Sequence, residues 1–216
     1  MSENNSLDCA YCGIKNCDNK ESDFPDFCPT SNEDNQEIIA ACKKIYLESE
    51  EDRKIILNAA MTEALHYNQY TRLEEIVDFA KSMGFQKIGV ATCMGLIRES
   101  NIFCQILKVK GLTPYSVTCK VGSLEKTELG IKEEHKVRPN CYEASCNPVL
   151  QAKLLNKAGT ELNVIVGLCV GHDSLFIKYS DAIVTTLVTK DRVLGHNPVA
   201  ALYTSSSYYR KLFKQD

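Results

Sequence analysis

Long apolar runs are missing from this chain. No stretch approaches the ~20 apolar residues of a membrane-spanning helix, so the sequence gives no reason to expect one. Residues Met1 to Leu7 have neither the basic region nor the apolar core of a secretory signal, and the chain reads as cytoplasmic. A large charge of one sign is missing too. The net charge of −3 supplies no field for nucleic acid. There is no phosphate-loop lysine and no dinucleotide glycine fingerprint, so nothing local supports nucleotide binding. Repeats and low-complexity tracts are also absent, which excludes a solenoid.

Cysteine is what the chain has in excess, 11 among 216 residues. In a reducing compartment such chains bind metals or do thiol chemistry more often than they form disulfides. A secreted disulfide framework is the competing reading. The missing leader argues against it, and so does a composition, 44% hydrophobic and 25% charged, that can build a sizeable core.

Charge and pattern divide the chain. Residues 1–35 carry Lys15 and Lys20 against eight acids, a net of −6, which leaves about +3 for the rest. Residues 1–33 have little periodicity and would be disordered unless their cysteines organise them. From 34 to 84 the pattern is helical. Asp34 and Glu37 resemble a capping pair before Ile38, Ala41, Cys42 and Ile45. Ser49 breaks that run before a second helix through Ile55 to Leu65. Thr71 with Glu74 opens a third helix, which Gly84 stops.

Residues 85–216 then alternate. Strands are expected at Lys87–Ala91, Leu112–Thr118, Leu162–Leu168 and Ala182–Val188. Helices are expected at Leu96–Lys110, Pro148–Ala158 and Ser174–Tyr179, with a last one from Pro198 to Phe213. Residues 120–145 are irregular. This order implies an α/β fold: a doubly wound, mainly parallel sheet of about four strands, Rossmann-like or flavodoxin-like. A helical segment and an N-terminal cysteine knuckle precede it.

Cys9, Cys12, Cys17 and Cys28 are the candidate metal ligands of that knuckle. The two-residue gap between Cys9 and Cys12 lets two sulfurs of one turn face one ion. Four thiolates close a zinc site or hold an iron–sulfur cluster, and unmetallated thiols are the alternative.

A second set falls at strand ends. Cys93 follows the first strand, Cys119 the second and Cys169 the third, while Cys146 precedes a helix start at Asn147-Pro148. His196-Asn197-Pro198 and His172-Asp173-Ser174 repeat the pattern of a chemical group just before a cap. Ligands of open parallel sheets bind beyond the carboxyl ends of strands. Cys93, Cys119, Cys146, Cys169, His172 and His196 are therefore expected to line one crevice, as a second metal, iron–sulfur or redox site. Against this stands the frequent use of free cysteine as a small core hydrophobe. That reading is preferred for Cys42 and Cys104, and Cys141 receives no role. Tyr203, Tyr208 and Tyr209 read as packing residues, Arg98 and Glu99 as a solvated helix face.

These pieces carry a resemblance: Cys9-x-x-Cys12 with Cys17 and Cys28-Pro29; Cys119-Lys120-Val121-Gly122; Cys146-Asn147-Pro148; the run from Gly167 through Cys169 and His172 to Phe176; and the run from Val193 through His196-Asn197-Pro198 to Tyr203. Together they resemble a family of uncharacterised metal-binding proteins of mostly anaerobic prokaryotes, a family defined by a domain of unknown function. The resemblance spans nearly the whole chain. It implies metal binding and a cytoplasmic location, and it brings no reaction with it.

The expectation is thus a metalloprotein with a zinc or iron–sulfur knuckle and a thiol-rich site at the strand ends. Its implied partners are the metal ion and a small molecule or redox protein, with no nucleic acid and no membrane. One alternative is an enzyme using Cys169 or Cys146 as nucleophile and His172 or His196 as base. The other is a non-catalytic sensor or interaction module.

Overall fold

The computed structural model describes residues 7–19 and 23–214. The chain divides into two compact units, Met1–Met61 and Thr62–Asp216, with the division inside the second long helix.

In the first unit, short 3-10 turns at Cys9–Tyr11, Asn16–Asp18 and Glu33–Asn35 precede helices α1 (Gln36–Glu48) and α2 (Glu50–His66). The expected cap at Asp34 lies two residues earlier. The Asn32 side chain accepts the Asp34 N–H at 2.8 Å, because a 3-10 turn, not α1 itself, starts there. Ser49 separates the helices: its N–H donates to the Ile45 carbonyl and its hydroxyl accepts the Asp52 N–H. Cys42 is exposed, contrary to the core position expected for it, because α1 has no buried residue.

The second unit is built on a parallel sheet. Helix α3 (Arg72–Ser82) opens on the expected capping box, Thr71 with Glu74. Then come β1 (Lys87–Thr92), α4 (Ile97–Val109), β2 (Thr113–Thr118), α5 (Pro148–Ala158), β3 (Leu162–Val166), α6 (His172–Tyr179), β4 (Ile183–Val188) and the short α7 (Val199–Tyr203). The strand order is β2-β1-β3-β4, every pair parallel. The expected α/β sheet of four strands is the one observed. β1 and β3 are central and nearly all buried, as their continuous apolar runs require, while β2 and β4 are edges.

Side chains alternate across the sheet. Ile88, Val90, Val164 and Val166 face α3 and α4, packing on Ile76, Val77, Phe103 and Leu107. Ala91 and Ile165 face α5 and α6, packing on Ala152, Leu155 and Phe176. The chain leaves β1 toward β2, then crosses back over β1 to β3. The switch point therefore lies between the carboxyl ends of β1 and β3.

The expected long C-terminal helix is broken. Only Val199–Tyr203 is α-helical, and a 3-10 turn follows at Arg210–Phe213. Between them Thr204 bonds back to the Ala200 carbonyl at 2.7 Å and Ser207 to the Thr204 carbonyl at 3.2 Å, so hydroxyls compete with the helical ladder. Tyr203 and Tyr208 consequently stand 80% and 89% exposed and do not pack.

One close approach fixes the register of the α5 face. Gly89 lies opposite Asn163, and a Cβ there would meet Asn163 Oδ1 at 1.9 Å and Leu155 Cδ1 at 2.9 Å. Asn163 is fully buried and committed, accepting from Thr160 and donating to Ser180. Gly89→Ala is expected to lose about 1–3 kcal/mol in urea unfolding. Gly95→Ala, whose Cβ would meet only the flexible Lys190 Nζ at 3.6 Å, should stay within about 0.5 kcal/mol of wild type.

Candidate functional site

The strand-end cysteines owe their positions to the sheet. Cys93 and Cys119 each follow the last residue of a strand, and those last residues, Thr92 and Thr118, are register partners. Alternation then turns both sulfurs to the α5 face, with Ala91 and Val117. Cys146 immediately precedes α5, whose N-cap Asn147 accepts the Leu150 N–H through its side chain. The Asn147 N–H donates to the Cys119 carbonyl at 2.7 Å, which ties the start of α5 to the end of β2.

Cys169 lies in the turn from β3 to α6, where its carbonyl accepts the N–H groups of His172 and Asp173. Gly167 makes that turn possible. It has φ +71°, and a Cβ on it would meet Leu96 Cδ1 at 2.1 Å.

Three of the four thiols interact in series. Cys119 couples electrostatically to both Cys93 and Cys146. Donation from Cys119 is the main reason the Cys146 thiol falls to about 6, with Lys120 adding to it against the effect of burial. Cys93, at the other end, is pushed up to about 12, first by its bond to Cys119 and then by burial. Cys119 itself is raised by its bond to Cys146. One thiolate at Cys146, held by a row of S–H donors, describes the set at neutral pH. Cys169 stands apart from the row: its Sγ accepts from Arg192 Nη2 at 2.8 Å.

Cations frame these sulfurs. Lys190 Nζ donates to Cys93 Sγ at 3.4 Å, and the Met94 N–H donates to Cys119 Sγ at 3.3 Å. His172 belongs to the crevice, since Lys120, Arg192, Asp173 and Cys93 all act on it. Burial, then the Lys120 cation, holds its imidazole below the ordinary value, so it is neutral at pH 7. His196 has another task. It adopts φ +67° and its Nδ1 accepts the Asp191 N–H at 3.2 Å, shaping the 191–196 turn. Sequence reasoning missed Lys190 and Arg192 and gave Lys120 no role. The usable signal was their position, just past the ends of β4 and β2.

A stapled excursion delivers Cys146. Residues 120–146 leave β2 and return to α5, closed by the Glu125–Ala144 bridge and by Lys120 Nζ on the Ala144 carbonyl. Lys136, with its side chain only 3% exposed, pairs with Glu125 and Glu133, both at 2.7 Å, and Lys126 pairs with Glu143. Exposed Cys141 only lends its carbonyl to Lys136. Arg98 and Glu99 are exposed, as expected. Cys104 is partly buried against the α4-side core, also as expected.

The head cysteines are placed differently. Cys9 and Cys17 are exposed, Cys12 is intermediate and Cys28 is buried. Cys12 Sγ accepts the Lys15 N–H at 3.5 Å, made possible by the left-handed Lys15. Burial pushes the Cys28 thiol up, but donors from the backbone and side chains of Thr30 and Ser31 outweigh it and hold it below the ordinary value. Among the described residues, no three His, Cys, Asp or Glu side chains stand in a group able to hold a metal ion in the present arrangement. No described helix is long and apolar enough to cross a membrane.

Two outcomes are expected. Lys136 and Lys126 hold the carboxyls of Glu125, Glu133 and Glu143 below the usual carboxylate range. Their stabilisation is therefore complete above about pH 4.3 and is lost as the pH falls through the lowered folded values. Lys136 is raised, chiefly by Glu125, so its share is complete below about pH 10.4 and is lost only in stronger alkali. Hydrogen-exchange protection of residues 125–145, corrected for intrinsic rates, should fall in acid below about pH 4. Lys136→Met should lower it already at pH 7 and shrink the acid step, with the Lys126–Glu143 pair left in place. Second, iodoacetamide at pH 7 should label Cys146 before Cys93 and Cys119, with a rate rising through about pH 6. Cys119→Ala should move that midpoint upward, as followed by peptide mass spectrometry.

Residues 28–187 match the family described as a protein of unknown function, DUF1847. That stretch contains Cys28 and all four strand-end cysteines, whereas Cys9, Cys12 and Cys17 precede it. The chain is also 48% identical over 176 residues to an uncharacterized protein of the methanogen Methanocaldococcus jannaschii, covering 82% of this chain and 86% of that protein. With the match spanning most of the α/β unit and its thiol crevice, the chain belongs to the DUF1847 family.

Proposed function

We propose that this protein is a thiolate-based metal protein whose working centre lies at the strand ends, with a second centre in the N-terminal head. The observation carrying the reading is the gathering of Cys93, Cys119, Cys146 and Cys169 at one switch-point crevice. Cys119 lies in the α5-side core with Cys93 and Cys146 packed against it. What sets these sulfurs apart from small core hydrophobes is the cations that reach the strand-end thiols, Lys190 at Cys93 and Arg192 at Cys169. The donor set is all sulfur and suits zinc or an iron–sulfur cluster. The cations of Lys120, Lys190 and Arg192 offset the negative charge such a centre carries. The head reading draws support from backbone N–H donors to Cys12 and Cys28, the bonds that steady a coordinated thiolate.

Neither set is closed around a point, and thiolate sites are not expected to be. The thiols must lose their protons to take up a cation, so closure is coupled to binding. A multi-iron cluster also accepts wider sulfur spacing than a single zinc ion, because each thiolate meets a different iron. Cys93, Cys119 and Cys146, joined in a row, form the fixed side of the centre, and Cys169 the fourth position. When bound, the metal would supply a Lewis acid or an electron store. The protein's own groups set the charge around it and hold His172 neutral beside it.

A second reading has its own observation: the lowered Cys146 thiol just before α5 suits a nucleophile, with neutral His172 as base. Anaerobic purification followed by counting zinc, iron and acid-labile sulfide per chain separates the two. The wild type should carry two centres. Cys9→Ser with Cys12→Ser should remove one, and Cys93→Ser with Cys119→Ser and Cys146→Ser the other, with far-UV circular dichroism unchanged. A wild type with no metal at the strand ends and a single fast-alkylating Cys146 would decide for the nucleophile instead.

A further inference from the structure

Three cations close on the strand-end thiols without a carboxylate to answer them. Lys190 reaches Cys93, Arg192 reaches Cys169, and Lys120 acts on both Cys146 and His172. None of the three forms an ion pair among the described residues. Asp191, between Lys190 and Arg192 in the chain, and Asp173, which acts on His172, are turned to other work. Asp191 Oδ1 accepts the N–H groups of Val193 and Leu194, and Asp173 Oδ1 accepts that of Ser174. A crevice with unanswered positive charge concentrates anions.

Cys169 gives that anion site a chemistry. Its sulfur is outside the Cys93–Cys119–Cys146 row, partly exposed, and held by a guanidinium whose planar fork also fits an oxyanion. A soft nucleophile beside an oxyanion binder suits an anion that carries a soft electrophile next to its oxygens. We infer that the crevice takes a small sulfur-bearing oxyanion and that Cys169 accepts its sulfane sulfur. With thiosulfate, the Cys169 thiolate attacks the outer sulfur. A new S–S bond forms to Cys169, the S–S bond of thiosulfate breaks, and its electron pair leaves with sulfite. The products are a Cys169 persulfide and sulfite. The thiol proton has gone to solvent, and no outside oxidant is consumed. Arg192 and Lys190 bind the oxyanion end before and after the step. The inference rests on the strand ends being a working thiol site with Cys169 free of metal, and it names the substrate class of that site.

The test uses the reduced full-length protein and thiosulfate without oxygen. Peptide mass spectrometry locates added sulfur, a sulfite assay counts product, and metal is counted on the same samples. One sulfur atom should appear on the Cys169 peptide with equal sulfite, and Cys169→Ser should show neither. Arg192→Met and Lys190→Met, with unchanged circular dichroism, should each slow transfer about tenfold, the loss of one charge-assisted contact. Sulfur spread over all the cysteines would overturn the inference. So would no sulfur gained, or transfer unaffected by both cation variants. Protection of Cys169 from alkylation by sulfate, without persulfide from thiosulfate, would overturn sulfur transfer and leave anion binding alone. Transfer in a protein without strand-end metal would sustain the inference and sink the metal reading. Metal without transfer would do the reverse.

Discussion

Cys93 and Cys119 each donate one hydrogen bond of the parallel ladder beyond the end of their strands, to the carbonyls of Val166 at 3.1 Å and Thr92 at 2.8 Å. These two bonds carry the β1–β3 and β1–β2 registers past the sheet edge and hold the two cysteines side by side. The starts of α5 and α4 hang from them. Asn147 bonds to the Cys119 carbonyl, so α5 starts where β2 stops, and Cys146 comes with it. Leu96 turns back onto the Cys93 carbonyl, which opens α4 and presents the Met94 N–H to Cys119 Sγ. The thiol row continues the sheet into its loops.

That dependence explains what could be read in advance. The strands were legible because buried parallel strands are continuous apolar runs, and the helices because Thr71, Asn147 and Gly159 punctuate them. Cysteine placement was legible because Cys93, Cys119 and Cys146 sit at those boundaries. Strand order was not, since no local pattern encodes which strands pair. The convergence of Cys119 with the others became visible only with β2 beside β1. His196 resembled a group presented before a helix cap, yet a left-handed backbone turned its ring into the loop. The C-terminal helix failed where Thr204 and Ser207 offered the backbone other partners. Lys120, Lys190 and Arg192 were hidden by frequency: among 25 Lys and Arg, only the fold distinguishes those at the crevice.

The 120–146 excursion shows a division of labour. Its lysine–carboxylate pairs lie close to Cys146 in sequence but touch none of the strand-end sulfurs. They fix the path by which the chain returns to α5. Lys190 and Arg192 do the opposite: each touches a strand-end sulfur and pairs with no carboxylate among the described residues. Charge that stabilises the fold is thus paired, and charge that faces the site is left open. A crowded acidic and basic loop could not otherwise lie beside a thiol row without quenching it.

The open charge would also couple the two ligands proposed for the crevice. With Cys93 and Cys119 raised and so protonated, the Lys120, Lys190 and Arg192 cations outnumber the thiolates, and the crevice favours an anion. With all four cysteines ionised, the balance reverses, and a metal cation is needed to hold the thiolates together. Each of the two proposed ligands would therefore select a different protonation state of the same sulfurs. A metal bound there would release protons from Cys93 and Cys119, and that release would weaken the field an anion requires. An anion beside Cys169 would raise the cost of ionising the row, and so would oppose the metal. The two would be linked through the protons of the thiols.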